Sequence, residues 1–412
     1  MNVLFFHLMP YAELPDNFRE SHPSIWVDID SRLYEPERGG AMYRDYLDEL
    51  EEAAALGFDG VCVNEHHSNG YGMMPSPNLM ASVLARNTTR GAVCVMGNAP
   101  ALYDPPLRVA EEMAMLDCIS GGRLIAGLPL GTPMDTCYAY GRNPSTLREK
   151  YVEACEMVVR AWQEPEPFAF AGRFFQHRYV NIWPRPIQTP RPPIWIPGGG
   201  SPDTWRMCGR DGYVYAALSY FGYHTARGVL KGYWAELERQ GREPNPFQAG
   251  YLQLVGVAET KREALELYRE PAEYFYTNCL HTNPRFAVPP GYATEESVRF
   301  RARQANPGNP VAQFTTAPTY DQILERGYLL VGTPDEVAER LRDIAVDLNI
   351  GQLMLLLHFG NMDRGLTRHN TTLFAERVLP QIRDLFTDRW EDHWWPDAAR
   401  RAAVHDSGKN DS

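Results

Sequence analysis

Short apolar runs alternate with amphipathic segments along this 412-residue chain, and few architectures accommodate such a rhythm. The runs Val3 to Leu8, Val61 to Val63, Ala92 to Met96, Leu124 to Leu128, Ile194 to Ile196, Tyr213 to Ala217, Leu252 to Val257 and Gln352 to Leu357 are too short for helices. Their largely unbroken apolar character is that of parallel strands buried on both faces. Between them, Tyr43 to Leu56 carries Tyr46, Leu47, Leu50, Ala54 and Leu56 at helical spacing and ends at Gly57. Leu79 to Arg90, Leu107 to Ile119, Thr146 to Trp162 and Asp335 to Asp347 read as further helices. About eight strands separated by helices, with no shift in composition that marks a linker, predict a single (β/α)8 TIM barrel over residues 1–397. A doubly wound open sheet is the other arrangement of the same alternation.

Two segments break the rhythm. Phe168 to Trp183 is an aromatic, hairpin-like excursion followed by a proline-rich approach to the Ile194 strand, where proline fixes an extended chain. Residues from about 270 to 327 hold turn-formers such as Asn283-Pro284, Pro289-Pro290-Gly291 and Asn306-Pro307-Gly308-Asn309-Pro310, with a short helical stretch near Glu295 to Arg303. Long irregular insertions in compact domains are lids or disordered loops, and here a lid over the barrel mouth is expected. The polar stretch 398–412 reads as a flexible C-terminal tail.

Within this frame the stretch Val61-Cys62-Val63-Asn64-Glu65-His66-His67 stands out, because an apolar strand stops abruptly at an amide, a carboxylate and two imidazoles. Barrels carry their chemistry at the C-terminal ends of strands. Adjacent histidines on a strand point to opposite faces, so one of them, assigned as His66, would face the interior, with His67 and Glu65 supporting it. The alternative is a pair of structural histidines satisfied by their neighbours. A second motif, Pro197-Gly198-Gly199-Gly200-Ser201-Pro202-Asp203-Thr204, follows the Ile194 strand and precedes a helix. Glycines admit an anion close to backbone N–H groups, two hydroxyls add donors, and a helix N-terminus contributes positive potential. A plain turn with a capping serine would explain Ser201 equally well. The loop lacks the P-loop lysine and the dinucleotide fingerprint, which favours a mononucleotide.

Charge narrows the partners. A net charge of −12 argues against nucleic acid and anionic membrane, and no apolar run reaches the roughly 20 residues of a membrane span. A small-molecule partner fits better. Seven cysteines without metal-ligand spacing read as reduced thiols of a cytoplasmic protein, and no metal site is expected.

The Asn-Glu-His-His stretch, the segment Pro106-Leu-Arg-Val-Ala-Glu-Glu-Met-Ala-Met-Leu-Asp-Cys-Ile-Ser-Gly-Gly-Arg-Leu, the Gly-Gly-Gly-Ser-Pro-Asp-Thr loop and Gly332-Thr-Pro-Asp-Glu-Val-Ala-Glu-Arg-Leu together resemble the luciferase-like flavin monooxygenases. The resemblance runs over nearly the whole chain. It implies a (β/α)8 barrel that takes reduced FMN, commonly supplied by a separate flavin reductase, and inserts one atom of O2 into a small organic substrate through a flavin C4a-(hydro)peroxide. It also implies a homodimer, for which Trp390, Trp394 and Trp395 offer apolar anchors. By the same resemblance His66 is the active-site histidine. Ser201, Thr204 and the amides of Gly199 and Gly200 hold the FMN phosphate. Asn98 lies by the flavin ring near a non-proline cis peptide, the Thr132 backbone meets the pyrimidine, and Tyr151 reaches the phosphate. Where bacterial luciferase has a reactive cysteine beside the ring, this chain has Pro129, so thiol reactivity and light emission do not carry over.

His66 would then manage one proton near neutral pH. His7, Tyr11, Met73 and Met74 either line the substrate side or pack ordinarily. Relatives in the same superfamily move hydride with a deazaflavin. A deazaflavin oxidoreductase and a non-catalytic flavin-binding barrel are therefore the competing expectations.

Overall fold

The computed structural model describes residues 1–218, 220–304, 316–387 and 389–400. Eight parallel strands close into a ring: β1 (Asn2–Phe6), β2 (Gly60–Val63), β3 (Ala92–Val95), β4 (Leu124–Gly127), β7 (Ile194–Gly198), β8 (Val214–Ala217), β9 (Ala249–Val257) and β11 (Gln352–Leu356). The β11–β1 and β8–β9 pairings complete the closure. This is the expected (β/α)8 barrel, and the open-sheet alternative falls. Ring strands are buried along almost their entire length because side chains fill the barrel on one face and helices cover the other. Gly127 is required in β4, since a Cβ there would strike the Val95 carbonyl of the neighbouring strand.

The helices on the outside include α1 (Pro36–Ala55), α2 (Pro77–Asn87), α3 (Leu107–Ser120), α4 (Pro144–Gln163), α5 (Pro202–Asp211), α6 (Gly222–Arg239), α7 (Glu295–Gln304), α8 (Pro334–Leu348) and α9 (Arg364–Leu373). α8 opens with a capping box in which Thr333 and Glu336 bond reciprocally, and closes at Asn349 in the left-handed region. The aromatic excursion is the antiparallel hairpin β5 (Phe168–Ala171) and β6 (Gln176–Val180). No helix among the described residues is long and apolar enough to cross a membrane.

The insertion follows β9. Its described residues carry α7, and beyond it the extra strand β10 (Leu329–Gly332) pairs with the far end of β9, outside the ring. Leu254 of β9 is opposite Leu329 of β10 and Leu356 of β11 at once, so β10 occupies the edge that β8 leaves free. The insertion lies over the C-terminal end of the barrel. Tyr292 donates to the Gly131 carbonyl, the Tyr138 hydroxyl to the Arg285 carbonyl, and Ser297 pairs with Ser201. Residues 305–315 and 401–412, parts of the expected lid and tail, lie outside the described residues. Residues 397–400, most of them assigned to the tail, are helical, and Ala399 is buried.

Candidate active site

His66 lies three residues beyond β2, on a loop that is tied back by His66 N–H donating to the Met74 carbonyl. Its Nδ1 is 2.9 Å from Asp135 Oδ2, and its Nε2 has no hydrogen-bond partner among the described residues. Asp135 is a hub. Oδ2 also accepts from the Thr132 hydroxyl at 2.8 Å, while Oδ1 accepts from the His67 backbone N–H at 2.8 Å and from Asn69 Nδ2 at 3.2 Å. With the Thr132 hydroxyl, the His67 N–H and Asn69 Nδ2 all donating to it, the Asp135 carboxyl accepts from His66 Nδ1–H as well, which leaves the Nε2 lone pair for a substrate-side proton. The Asp comes from a π-helical turn, Met134–Ala139, that brings its side chain toward the β2 loop.

This arrangement corrects two expectations. β2 ends at Val63, so strand alternation does not govern His66 and His67. Glu65, expected to set the imidazole of His66, lies instead against His67: its Oε1 is 3.1 Å from His67 Nε2 and accepts from the Tyr103 hydroxyl at 2.5 Å, while Oε2 accepts from the Ala99 N–H at 2.7 Å. The orienting carboxylate is Asp135, which sequence reasoning missed.

The remaining expected residues divide. Asn98 is buried, its Oδ1 accepting from Asn78 Nδ2 at 2.7 Å, and its neighbour Asn64 at the end of β2 has a buried Oδ1 without a partner among the described residues. The cis peptides among the described residues all precede proline, at Asp104–Pro105, Trp183–Pro184 and Thr189–Pro190, so the non-proline cis bond expected near Asn98 is absent there. The Thr132 side chain serves Asp135. Tyr151 is fully buried and donates to the Leu128 carbonyl at 2.7 Å, which directs its hydroxyl into the barrel wall rather than toward an anion.

At the other end of the site, the β7–α5 loop forms a cradle. Gly199 has open space where a Cβ would stand, and Gly200 takes φ +100°, a conformation that favours glycine. Ser201 sits at the N-cap of α5 without capping it, because its Oγ is 2.9 Å from Ser297 Oγ of α7; Thr204 is nearly buried in the first turn. Two arginines lie nearby, Arg148 within electrostatic reach of Asp203 in the loop and Arg301 hydrogen-bonded to the carbonyl of Ser297, whose hydroxyl pairs with Ser201. Arg148 of α4 and Arg301 of α7 lie within electrostatic reach of one another, neither has a carboxylate ion-pair partner among the described residues, and Arg148 Nε is buried without a partner. Burial, and then the proximity of Arg148, hold the Arg301 guanidinium below its usual range. Asp203, also in the loop, stays below the usual carboxylate range: burial raises it, but the Thr294 hydroxyl and the charges of Arg148 and Arg206 outweigh burial. Open glycines, a helix N-terminus and two arginines without a direct ion pair among the described residues suit a phosphate monoester. Together with the orphaned amide oxygen of Asn64, an acceptor, this set fits a flavin that carries a phosphate.

Around His66 the walls are aromatic. Trp26 meets its ring edge-on at 5.1 Å and Tyr71 at 4.8 Å, and Trp26 stacks on Tyr71 at 3.9 Å. Tyr11, Met73 and Met74 are buried on the neighbouring loops. His7, expected on the substrate side, instead faces the helix layer: its Nε2 is 2.9 Å from Glu49 Oε2 of α1, to which His358 Nδ1 also approaches at 2.9 Å. These three could offer ligand atoms within 4.8 Å of one another. However, the Met9 N–H donates to His7 Nδ1 at 2.8 Å, which places the ring proton on Nε2 and closes that atom to a metal. The cluster is a hydrogen-bonded brace behind the barrel.

Comparison with known proteins agrees with this geometry. A family model described as luciferase-like monooxygenase matches residues 26–350. Limonene 1,2-monooxygenase of Rhodococcus erythropolis is 32% identical over 351 residues, 83% of this chain and 82% of that protein. An F420-dependent glucose-6-phosphate dehydrogenase of Kineococcus radiotolerans is 23% identical, over 81% of this chain and 91% of its own. Among solved structures, the oxygenating constituent of 3,6-diketocamphane monooxygenase from Pseudomonas putida, in complex with FMN, superposes with a TM-score of 0.68 at 19% identity, covering 93% of this chain and 99% of that one.

Proposed function

Because this chain belongs to the luciferase-like monooxygenases, we propose that it uses reduced FMN and O2 to insert one oxygen atom into a small, largely apolar organic molecule. It is an oxidoreductase of the monooxygenase class, as limonene 1,2-monooxygenase is. The observation that carries the FMN reading is the cradle of Gly199, Gly200, Ser201 and Thr204 with Arg148 and Arg301 nearby, which suits the terminal phosphate of a mononucleotide. The FMN complex of the diketocamphane enzyme supports the choice. The name of that protein, an oxygenating constituent, also supports a separate flavin reductase as the source of reduced cofactor.

Reduced flavin supplies the two electrons and the activation of O2 when bound. The chain supplies the rest. Asn64 and Asn98 sit at the strand ends where a flavin ring would present its polar edge, and Thr132 holds Asp135 in place. Asp135 fixes His66 with Nε2 outward, so that imidazole takes a proton at Nε2 and returns it. Trp26 and Tyr71 wall the imidazole with aromatic rings, edge-on to it. The insertion carries Ser297 and Arg301 onto the phosphate end and Tyr292 onto the β4 loop, which closes the site from above.

The F420-dependent relative makes hydride transfer the second reading. Anaerobic titration of the protein with reduced FMN and with reduced deazaflavin, followed by admission of O2 and product analysis on a panel of ketones, aldehydes and alkenes, separates them. Oxygenated product with FMN alone is expected. Turnover with deazaflavin and none with FMN would overturn the proposal.

A further inference from the structure

The hydroxyls of Tyr71 and Tyr220 are hydrogen-bonded to each other, and neither has another hydrogen bond among the described residues. Two hydroxyls carry two protons, and one mutual bond employs one of them. The other has no acceptor. It lies in an aromatic wall: Trp26 stacks on one side of Tyr71, Phe275 meets Tyr220 edge-on at 5.4 Å, and the Tyr71 ring touches His66. Burial raises the pKa of both phenols, that of Tyr71 well above its ordinary value, so both remain protonated donors at neutral pH. Tyr71 is buried and Tyr220 half-buried, and two phenylalanines would fill the same space without leaving this donor unpaired. The missing partner is an oxygen that accepts.

We propose that the Tyr71–Tyr220 hydroxyl pair receives an acceptor oxygen of the substrate beside His66, so that the substrate is an apolar molecule bearing a carbonyl rather than a bare hydrocarbon. This rests on the oxygenase reading for what happens to the substrate, but binding itself needs neither flavin nor O2. One hydroxyl donates to the other, which polarises the second and makes it the better donor to a carbonyl.

Cyclohexanone and methylenecyclohexane, which share a ring and differ in C=O against C=CH2, serve as the probe pair, with headspace depletion over a solution of the protein as the readout. The double variant Tyr71→Phe/Tyr220→Phe should bind cyclohexanone about tenfold more weakly, as expected for loss of a buried hydrogen bond, and methylenecyclohexane within about twofold of wild type. Each single variant keeps one hydroxyl, with its proton released from the mutual bond, and should lose less. Equal weakening of both probes would reduce the pair to packing, and an unchanged cyclohexanone affinity, or none in the wild type, would overturn the proposal. Failure of FMN-dependent oxygenation with the binding contrast intact would overturn the oxygenase reading instead.

Discussion

A single hydrogen bond decides which atom of His66 does chemistry. With Nδ1 directed to Asp135, the proposed proton transfer falls to Nε2, and removal of the imidazole by His66→Ala should lower coupled turnover by about 10²–10⁴ while flavin affinity, which the proposal assigns to the phosphate cradle, is retained. Asp135→Asn keeps the volume but offers an amide that can donate to Nδ1 and transfer the ring proton to Nε2, so a loss of tenfold or more in kcat with little change in flavin Kd is expected from steady-state kinetics and fluorescence titration. His66 was legible because an apolar strand ends in Asn-Glu-His-His. Asp135 was not, since its role depends on a π-helical turn 69 residues downstream that no periodicity announces. The His7–Glu49–His358 brace gives a separate prediction. Burial, opposed by the Glu49 hydrogen bond, lowers the His7 pKa to about 4. As pH falls from about 6.5 to 4, the unfolded chain therefore binds a proton that the native chain refuses, and stability should drop by up to about 3 kcal/mol. Glu49 acts lower: burial raises its carboxyl but His358 and His7 hold it at about 2, so its contribution is present above about 4.5 and lost as pH falls toward 2. Urea unfolding at pH 7 and 4.5 should show the first loss in wild type and a smaller one in His7→Gln.

Among the elements, the β7–α5 loop and α7 form one device. The glycines and the strand-to-helix position made the loop readable from sequence. Its partners were not, because Ser297 and Arg301 stand about a hundred residues away in an insertion whose irregular sequence fixes no docking site. Ser201 illustrates the difference: its hydroxyl is already paired with Ser297, so Ser201→Ala alone should alter FMN affinity little. Arg148→Gln, which removes a charge-assisted donor worth roughly 1.5–3 kcal/mol, should weaken FMN by about tenfold or more in a fluorescence titration. Arg301→Gln should do so only when α7 is seated. If Arg148→Gln binds FMN as wild type does, the phosphate lies elsewhere.

For the molecule as a whole, the alternation of runs was enough to call the ring, because each strand in a parallel barrel must be apolar on both faces. β10 escaped notice because it lies outside the ring and pairs only with the end of β9. Of the aromatic C-terminal anchors, Trp394 donates to the Gly212 carbonyl and Trp395 packs on Trp195 within the chain, while Trp390 stays half-buried. Exposed apolar side chains include Leu79, Met115 and Ile119 on α2 and α3, alongside Tyr179 of the hairpin and Trp183 and Ile187 after it. We propose the first three as the homodimer face. Light scattering should give a dimer for wild type and a monomer for Leu79→Glu/Met115→Glu, and a monomeric wild type would remove the idea. The central claim, oxygen insertion governed by His66, is tested most directly by supplying 18O2 and reduced FMN to wild type and His66→Ala with a carbonyl substrate and measuring label in the product by mass spectrometry. One 18O atom per product in wild type, with label formation reduced at least a hundredfold in His66→Ala at unchanged FMN occupancy, is the predicted result; unlabelled product from wild type, or equal labelling by the variant, would contradict it.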